Sequence, residues 1–338
     1  MNSMQNDIAI PIGHSQDTVC HESVGCDITV VCACNDKYAP FCGTMITSLF
    51  HNNKRHHIEV FILSSDMGKE NQMKFEELAR SYGQTVHFTS MRKQDFEFLP
   101  IGKRFTNISH EAYFRLRMPS LLKDRDKALY LDCDMIVRKD IAELWNTHLD
   151  NHAIAAIQDT TRMQKRCFPR LGYNSEEGYY NSGMGVYNLS FLRSFNFEEK
   201  VQQFIKTNPE KIIFHDQDIT NCVCHGLFKE VSPKWNLLES FLEENPPVVE
   251  WQKEELHKYR QDPSIIHYAS LRKPWFIECV HPYQSEFWKY VALSPWNTLT
   301  PTYKYHGWKR FTKHHLKRFI KTIVASKKMK YWNSLSLH

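Results

Sequence analysis

Several features are missing from this sequence, and each absence excludes a class. No run of about 20 apolar residues occurs anywhere in the 338-residue chain, so nothing in it reads as a membrane-spanning helix. The opening stretch, "MNSMQNDIAIPIGHSQDTVCHESVG", has neither a basic start nor an apolar segment of signal-peptide length, and a cytosolic chain is expected. None of the ten cysteines falls in a C-x-x-C pair. In a reducing compartment they are expected as free thiols serving as small apolar core residues. Cys32/Cys34 and Cys222/Cys224 are spaced C-x-C, and His215 and His225 beside the second pair complete no familiar zinc spacing. Neither G-x-G-x-x-G nor G-x-x-x-x-G-K-[ST] is present, which disfavours a dinucleotide fingerprint and a P-loop. No internal repeat or low-complexity segment stands out.

What is present is globular. Hydrophobic residues make up 42% and charged residues 24% of the chain, which excludes a disordered polymer. The net charge of +5 is unevenly spread. From Lys304 onward there are ten Lys and Arg and no Asp or Glu, so the first 303 residues carry 33 basic side chains against 38 acidic ones. A mildly acidic body argues against a nucleic-acid-binding surface, and the basic surplus marks a specialised tail.

The first half alternates two periodicities. "CDITVVCAC", "HIEVFILSS", "TVHFTSM", "KALYLDCDMIV" (127–137) and "HAIAAIQD" (152–159) read as strands. Between them "YAPFCGTMITSLFHNN" and "KENQMKFEELARSYG" have helical spacing, the latter ending at Gly83. "SHEAYFRLRMPSLL" (109–122) reads as a helix bent at Pro119, and "DIAELWNTHL" (140–149) as a helix opened by an Asp140/Glu143 capping box. In the second half, "YYNSGMGVYNLSFLR" reads as a loop entering a strand and a turn. "FEEKVQQFIKTNP" and "DQDITNCVCHG" read as helices, and "SIIHYAS" as a strand. Strands alternating with helices predict an α/β fold with a mostly parallel sheet covered on both faces.

"YLDCDMIV" (130–137) sets two carboxylates into an apolar run. Charges are rarely buried unpaired. In open α/β sheets ligands bind beyond the carboxyl ends of strands, and residues two apart on a strand point the same way. Asp132 and Asp134 would then repel one another unless a cation intervenes. A divalent ion shared with a diphosphate satisfies that condition. The alternative is one aspartate capping the next helix while the other pairs with a nearby Arg or Lys.

Five ordered stretches, "NISHEAYFRL", "ALYLDCDMIVRKDIAELW", "YYNSGMGVYNL", "HDQDITN" and "IIHYASLRKPW", resemble glycosyltransferase family 8, the retaining sugar-nucleotide transferases that include lipopolysaccharide galactosyl- and glucosyltransferases. The resemblance runs from about residue 27 to 290, and more loosely into the basic tail. It implies a GT-A-like single nucleotide-binding domain over 26–290, after an extension over 1–25 and before a helical basic segment over 291–338. It implies that Asp132, Asp134 and His267 hold Mn²⁺ or Mg²⁺. A histidine beside two carboxylates favours Mn²⁺. Lys273 would contact the donor diphosphate, and Arg115 would bridge donor groups and an acidic neighbour. Cys133 would touch the donor. Asn181, Asp216 and Gln217 would line the donor sugar, and Ala33, Asn35, Asp36 and Tyr38 would form the base and ribose pocket, with Tyr38 stacked on uracil. Gln217 resembles the residue nearest the anomeric carbon. An amide is a poor nucleophile, so same-face attack by the acceptor hydroxyl is expected over a covalent intermediate. Asp218 is the other candidate carboxylate. Two departures from the family pattern touch base and sugar contacts but not the metal set. Lys37 stands where Asn is common, and Glu111 and Ala112 stand where hydroxyl-bearing residues are expected.

The expected activity is therefore transfer of glucose or galactose from UDP-glucose or UDP-galactose to an oligosaccharide or glycolipid acceptor. Two alternatives stay open: a nucleotidyltransferase that makes sugar nucleotides, for which "CNDKYAPFCG" is a poor triphosphate loop, and a non-catalytic glycan- or nucleic-acid-binding protein. In the tail, Trp308, Phe311, Leu316, Phe319, Ile320, Ile323 and Val324 recur near helical spacing among Lys and Arg. Residues 304–332 are expected to dock an anionic membrane surface from the cytoplasmic side, bringing the site to a lipid-linked acceptor. No nucleic-acid partner is expected.

Overall fold

A computed structural model of the chain describes residues 25–100, 109–173 and 175–304. The expected N-terminal extension up to residue 24 and the basic tail from residue 305 lie outside the described residues.

Among the described residues ten strands form in chain order: β1 (Asp27–Ala33), β2 (His57–Ser64), β3 (Thr85–Ser90), β4 (Lys127–Leu131), β5 (Met135–Val137), β6 (Ile154–Ala156), β7 (Met184–Asn188), β8 (Phe228–Glu230), β9 (Leu237–Leu238) and β10 (Ile265–His267). Seven of them make one sheet, ordered β3-β2-β1-β4-β7-β6-β8. β3, β2, β1 and β4 run parallel, β7 runs antiparallel to β4 and β6, and β8 is parallel to β6. This is the mostly parallel mixed sheet expected from the alternation of periods. The strictly alternating side chains of β1 show why it needs cover on both faces. Ile28, Val30 and Cys32 join one core with helices Ala39–Asn52 and Lys69–Tyr82, while Val31 and Ala33 join a second core with Phe114, Tyr130, Tyr187 and Ile219.

The run 127–137 is not one strand. β4 ends at Leu131, and the chain turns through 132–134 and re-enters a separate three-stranded sheet as β5. β5 is antiparallel to β10, with Met135 opposite His267, and β10 is parallel to β9, with His267 opposite Leu238. The apolar run continues because each half is buried in its own sheet. The two aspartates thus sit in the crossing between sheets, and their shared orientation comes from the turn rather than from strand alternation.

Other elements also differ from the sequence reading. His110–Arg117 is a 3-10 helix, followed by the short α-helix Met118–Leu121. Helix Ala142–Trp145 is much shorter than expected and has no capping box. Asp140 Oδ1 accepts from Ala142 N at 2.8 Å, but Glu143 pairs with Lys234 Nζ at 2.7 Å. Helices Thr161–Leu171, Glu250–Tyr259 and Gln284–Ala292 have no counterpart among the elements expected from sequence. Packing also continues past residue 290. Val291, Ser294 and Trp296 are buried, Trp296 Nε1 donates to Asn71 at 2.9 Å, and Thr302 bridges to Phe276. Among the described residues no helix is long and apolar enough to cross a membrane.

Candidate active site

A cavity of about 1430 Å³ opens beyond the carboxyl ends of β1 and β4, where the parallel strand order reverses. Every residue expected at the site lines it except Asp36 and Asp218.

The sheet crossing builds its centre. Asp132 N donates to Gly183 O at 2.8 Å, and Tyr268 N donates to Asp134 O at 2.9 Å, so both ends of the turn are pinned. Each carboxylate turns one oxygen to a protein cation. Arg115 Nη2 lies 2.7 Å from Asp132 Oδ1, and Lys273 Nζ binds Asp134 Oδ2. The other oxygens face His267, whose Nε2 lies 3.4 Å from Asp134 Oδ1 and 3.9 Å from Asp132 Oδ2. The Asp134 carboxyl is held well below the usual carboxylate range. Burial pushes it up, but Lys273 and His267 outweigh burial.

Mutual repulsion therefore does not by itself require an ion, since Arg115 and Lys273 already compensate the pair. What fits a divalent cation is convergence. Ligand atoms of Asp132, Asp134 and His267 lie within 4.8 Å of one another. The imidazole also has the right nitrogen forward. Its Nδ1 lies 2.9 Å from Asn236 Oδ1, whose amide is oriented by donating to Asn181 Oδ1 at 3.0 Å. Nδ1 is thus the donor and Nε2 presents its lone pair to the carboxylates, the usual outer-shell arrangement for a metal-binding histidine.

Gly183 completes this wall by having no side chain. A Cβ there would stand 2.9 Å from Asp132 Oδ2 and 3.0 Å from His267 Nδ1, and closer still to His267 Cε1.

Arg115 links the centre to a second acid. It is 3% exposed, its guanidinium lies 3.9 Å over the Tyr130 ring, and it binds the Ser182 carbonyl as well as Asp132. Its Nε stands 3.1 Å from Asp216 Oδ2, with the N–H directed at Ala112 O at 3.0 Å. Asp216 Oδ2 is buried without a hydrogen bond. Burial raises its carboxyl to about 6, with Arg115 opposing and Asp132 reinforcing. Gln217 Oε1 accepts from Ser182 N at 3.1 Å, and its Nε2 donates to Asp159 Oδ2 at 3.1 Å. Asn181 Nδ2 donates to the same Asp159 oxygen at 3.2 Å. Burial raises the Asp159 carboxyl, and the hydrogen bonds from Asn181, Thr160 and Gln217 oppose it.

Asp218 faces away from the cavity. Arg170 grips both its oxygens at 2.8 and 2.9 Å, Tyr179 Oη donates at 2.8 Å, and the Ile213 and Phe214 N–H groups donate at 2.7 and 2.6 Å. A carboxylate so fully engaged is a scaffold. It folds the chain back at His215, which adopts φ +56°, and so presents Asp216 and Gln217 to the cavity. Asp36 is likewise structural in its contacts, accepting from Gly68 N and Asn71 Nδ2 at 2.8 Å each. Asn35 caps Tyr38 N at 3.1 Å. Tyr38 packs edge-on to Phe41 and Trp275, and burial raises its phenol to about 12. Glu111 and Ala112 both line the cavity, and Glu111 accepts from Ser65 Oγ at 3.0 Å.

Sequence reasoning missed Asp159 and Asn236. Asp159 lies in a polar stretch shortly after β6 and Asn236 directly before β9, and only strand pairing brings each to the site.

The family described as Glycosyl transferase family 8 matches residues 29–279. General stress protein A of Bacillus subtilis is 26% identical over 276 residues, covering 80% of this chain and 95% of that protein. The lipopolysaccharide 1,3-galactosyltransferase of Salmonella typhimurium is 25% identical over 263 residues, 76% of this chain and 75% of that protein. Among solved structures, the galactosyltransferase LgtC in complex with donor and acceptor sugar analogues superposes with a TM-score of 0.72 at 22% identity, covering 79% of this chain and 96% of that one.

Proposed function

The chain belongs to glycosyl transferase family 8, and on that premise we propose that it moves glucose or galactose, with retention, from UDP-glucose or UDP-galactose to a hydroxyl of an oligosaccharide or glycolipid acceptor. It is a glycosyltransferase. The observation that carries the donor and metal assignment is the convergence of Asp132, Asp134 and His267 Nε2 in the wall of the cavity. Two carboxylates and an imidazole suit Mn²⁺, with Mg²⁺ as the oxygen-preferring alternative. Bound there, the ion supplies Lewis-acid stabilisation of a departing diphosphate.

The protein's own groups do the rest. Lys273 adds a mobile positive charge where negative charge grows on the leaving phosphate, which stabilises the transition state more than the bound donor. Arg115 holds Asp132 in place and orients Asp216. Ala33, Asn35 and Tyr38 receive the base and ribose, beside Cys133 at the floor. Asn181, Asp216 and Gln217 receive the sugar. Gln217 is fixed by Ser182 N and Asp159, and an amide so held positions the sugar without attacking it. The acceptor hydroxyl then enters on the face that UDP leaves, and a departing phosphate oxygen takes its proton.

The basic segment 304–332 would carry the enzyme to the inner face of the cytoplasmic membrane, and the resemblance to lipopolysaccharide transferases supports a lipid-linked envelope glycan as acceptor. The test is slow UDP release from a panel of sugar nucleotides with and without Mn²⁺. Release from UDP-glucose or UDP-galactose only with metal, abolished in Asp134→Asn and reduced but measurable in Gln217→Ala, is the expected result. Full activity without divalent metal, or no UDP release from any sugar nucleotide but pyrophosphate release from UTP and a sugar 1-phosphate, overturns it.

A further inference from the structure

Behind the aspartate turn lies a cluster of sulfur. Cys34 follows β1, Cys42 sits in helix Ala39–Asn52, and Cys133 lies between the two aspartates. Their Sγ atoms lie within 4.8 Å of one another. Cys32 Sγ is 3.4 Å from Cys42 Sγ, as a fourth thiol against the group. All four are free. Cysteine as a small apolar filler accounts for each position singly. It does not account for three thiols from three separate segments meeting at one point.

The meeting point is reachable. Cys34 and Cys133 both line the nucleotide cavity, so a small ion has a route to it. The spacing also suits coordination. With metal–sulfur bonds of about 2.3 Å, three sulfurs around one ion stand roughly 4 Å apart. The neighbouring carboxylates favour positive charge. Donor softness separates the two sets, because oxygen and imidazole ligands select Mn²⁺ or Mg²⁺ while thiolates select soft cations.

We propose that Cys34, Cys42 and Cys133 form a site for a soft, thiophilic cation of the Cu(I) or Cd(II) class, and that filling it disables the adjoining aspartate site. On binding, each ligating thiol releases its proton to solvent, three sulfur–metal bonds form, and no electrons are transferred. Cys133 now hydrogen-bonds to the Ala33 carbonyl at 3.3 Å. Recruited to an ion with Cys34 and Cys42, it draws the turn with it, and Asp132 and Asp134 flank it directly in the chain. The binding half of this proposal is independent of the transfer reaction, and only the inhibitory half rests on that reading.

The probe is Cd(II), titrated into the reduced full-length protein with Mn²⁺ in excess to occupy the carboxylates and His267. The expected result is one tight equivalent with an ultraviolet cadmium–thiolate charge-transfer band. The cadmium-edge X-ray absorption should show a sulfur-only shell. The band should be lost in Cys133→Ser and Cys42→Ala and kept in Asp134→Asn, and UDP release should fall on loading and recover with a dithiol chelator. An oxygen and nitrogen shell, or a band unchanged in both cysteine variants, overturns the proposal. Should either cysteine variant fail to fold, the shell measured on the unaltered protein decides alone. A protein that binds cadmium through sulfur but never releases UDP refutes the transfer reading and leaves the sulfur site standing.

Discussion

Replacing Gly183 by alanine adds one methyl group where the structure has no room. The new Cβ would sit 2.9 Å from Asp132 Oδ2 and 3.0 Å from His267 Nδ1, whereas ordinary carbon contacts are about 3.5–4.0 Å. Gly183 is not in the left-handed region, so backbone freedom is not the issue and close approach alone makes the site intolerant. Relief requires the imidazole or the carboxylate to move by about 1 Å. A displacement of that size at a reacting centre costs on the order of 100-fold in rate, and overpacking of this kind costs about 1–3 kcal/mol of stability. Steady-state UDP release across a Mn²⁺ titration, beside denaturant unfolding of the same preparations, reads both. The expected pattern is a folded protein with weakened metal dependence and activity lower by about two orders of magnitude. Turnover and metal affinity equal to the parent protein would show that His267 and Asp132 need not hold their present separation, and the geometric account of the site would fail.

Asn236→Leu removes the acceptor that fixes His267 Nδ1; apparent Mn²⁺ affinity should fall about 10–100-fold while turnover at saturating Mn²⁺ stays near normal, and an unchanged Mn²⁺ titration refutes the positioning role. Arg115→Met leaves Asp132 and buried Asp216 without their shared guanidinium, and unfolding in urea should show a loss of about 3–5 kcal/mol; a loss below about 1 kcal/mol would mean the bridge is energetically idle. Burial raises the Glu230 carboxyl to about 7, against hydrogen bonds from Gln158 and Gln252. A folded pKa above the unfolded value means the folded state binds the extra proton, so this group's contribution to stability is present below the ordinary carboxylate range and is lost as pH rises toward about 7. Glu230→Gln should flatten that part of the stability–pH curve, since Gln252 Oε1 is buried without a partner and can accept from the new amide after a flip; an unaltered slope sinks the assignment.

The parallel half of the sheet could be read from sequence because β1, β2 and β3 are long β-branched runs separated by helices with clear periods. The aspartate pair stood out because charge interrupts an apolar run. What could not be read is long-range pairing. Nothing local distinguishes Leu131 as the end of one strand from Met135 as the start of another, since both lie in apolar stretches and only β10 decides where the chain changes sheets. β8 and β9 have three residues or fewer, too short for period to register, and "SIIHYAS" reads as a strand without revealing that β10 pairs with β5 and β9. Asn236 and Asp159 reach the site through those same pairings. Asp218 shows the converse. An acid one residue from Gln217 looks reactive in sequence, yet three-dimensional context gives it to Arg170 and Tyr179.

The change of sheet at residues 132–134 has a mechanical consequence. Asp132 hangs from the end of the large sheet, while Asp134 leads directly into the small one, which holds His267. An ion gripped by all three would clasp the seam between them, so nucleotide arriving with its metal would be felt as stiffening along the whole join, and its departure as slack.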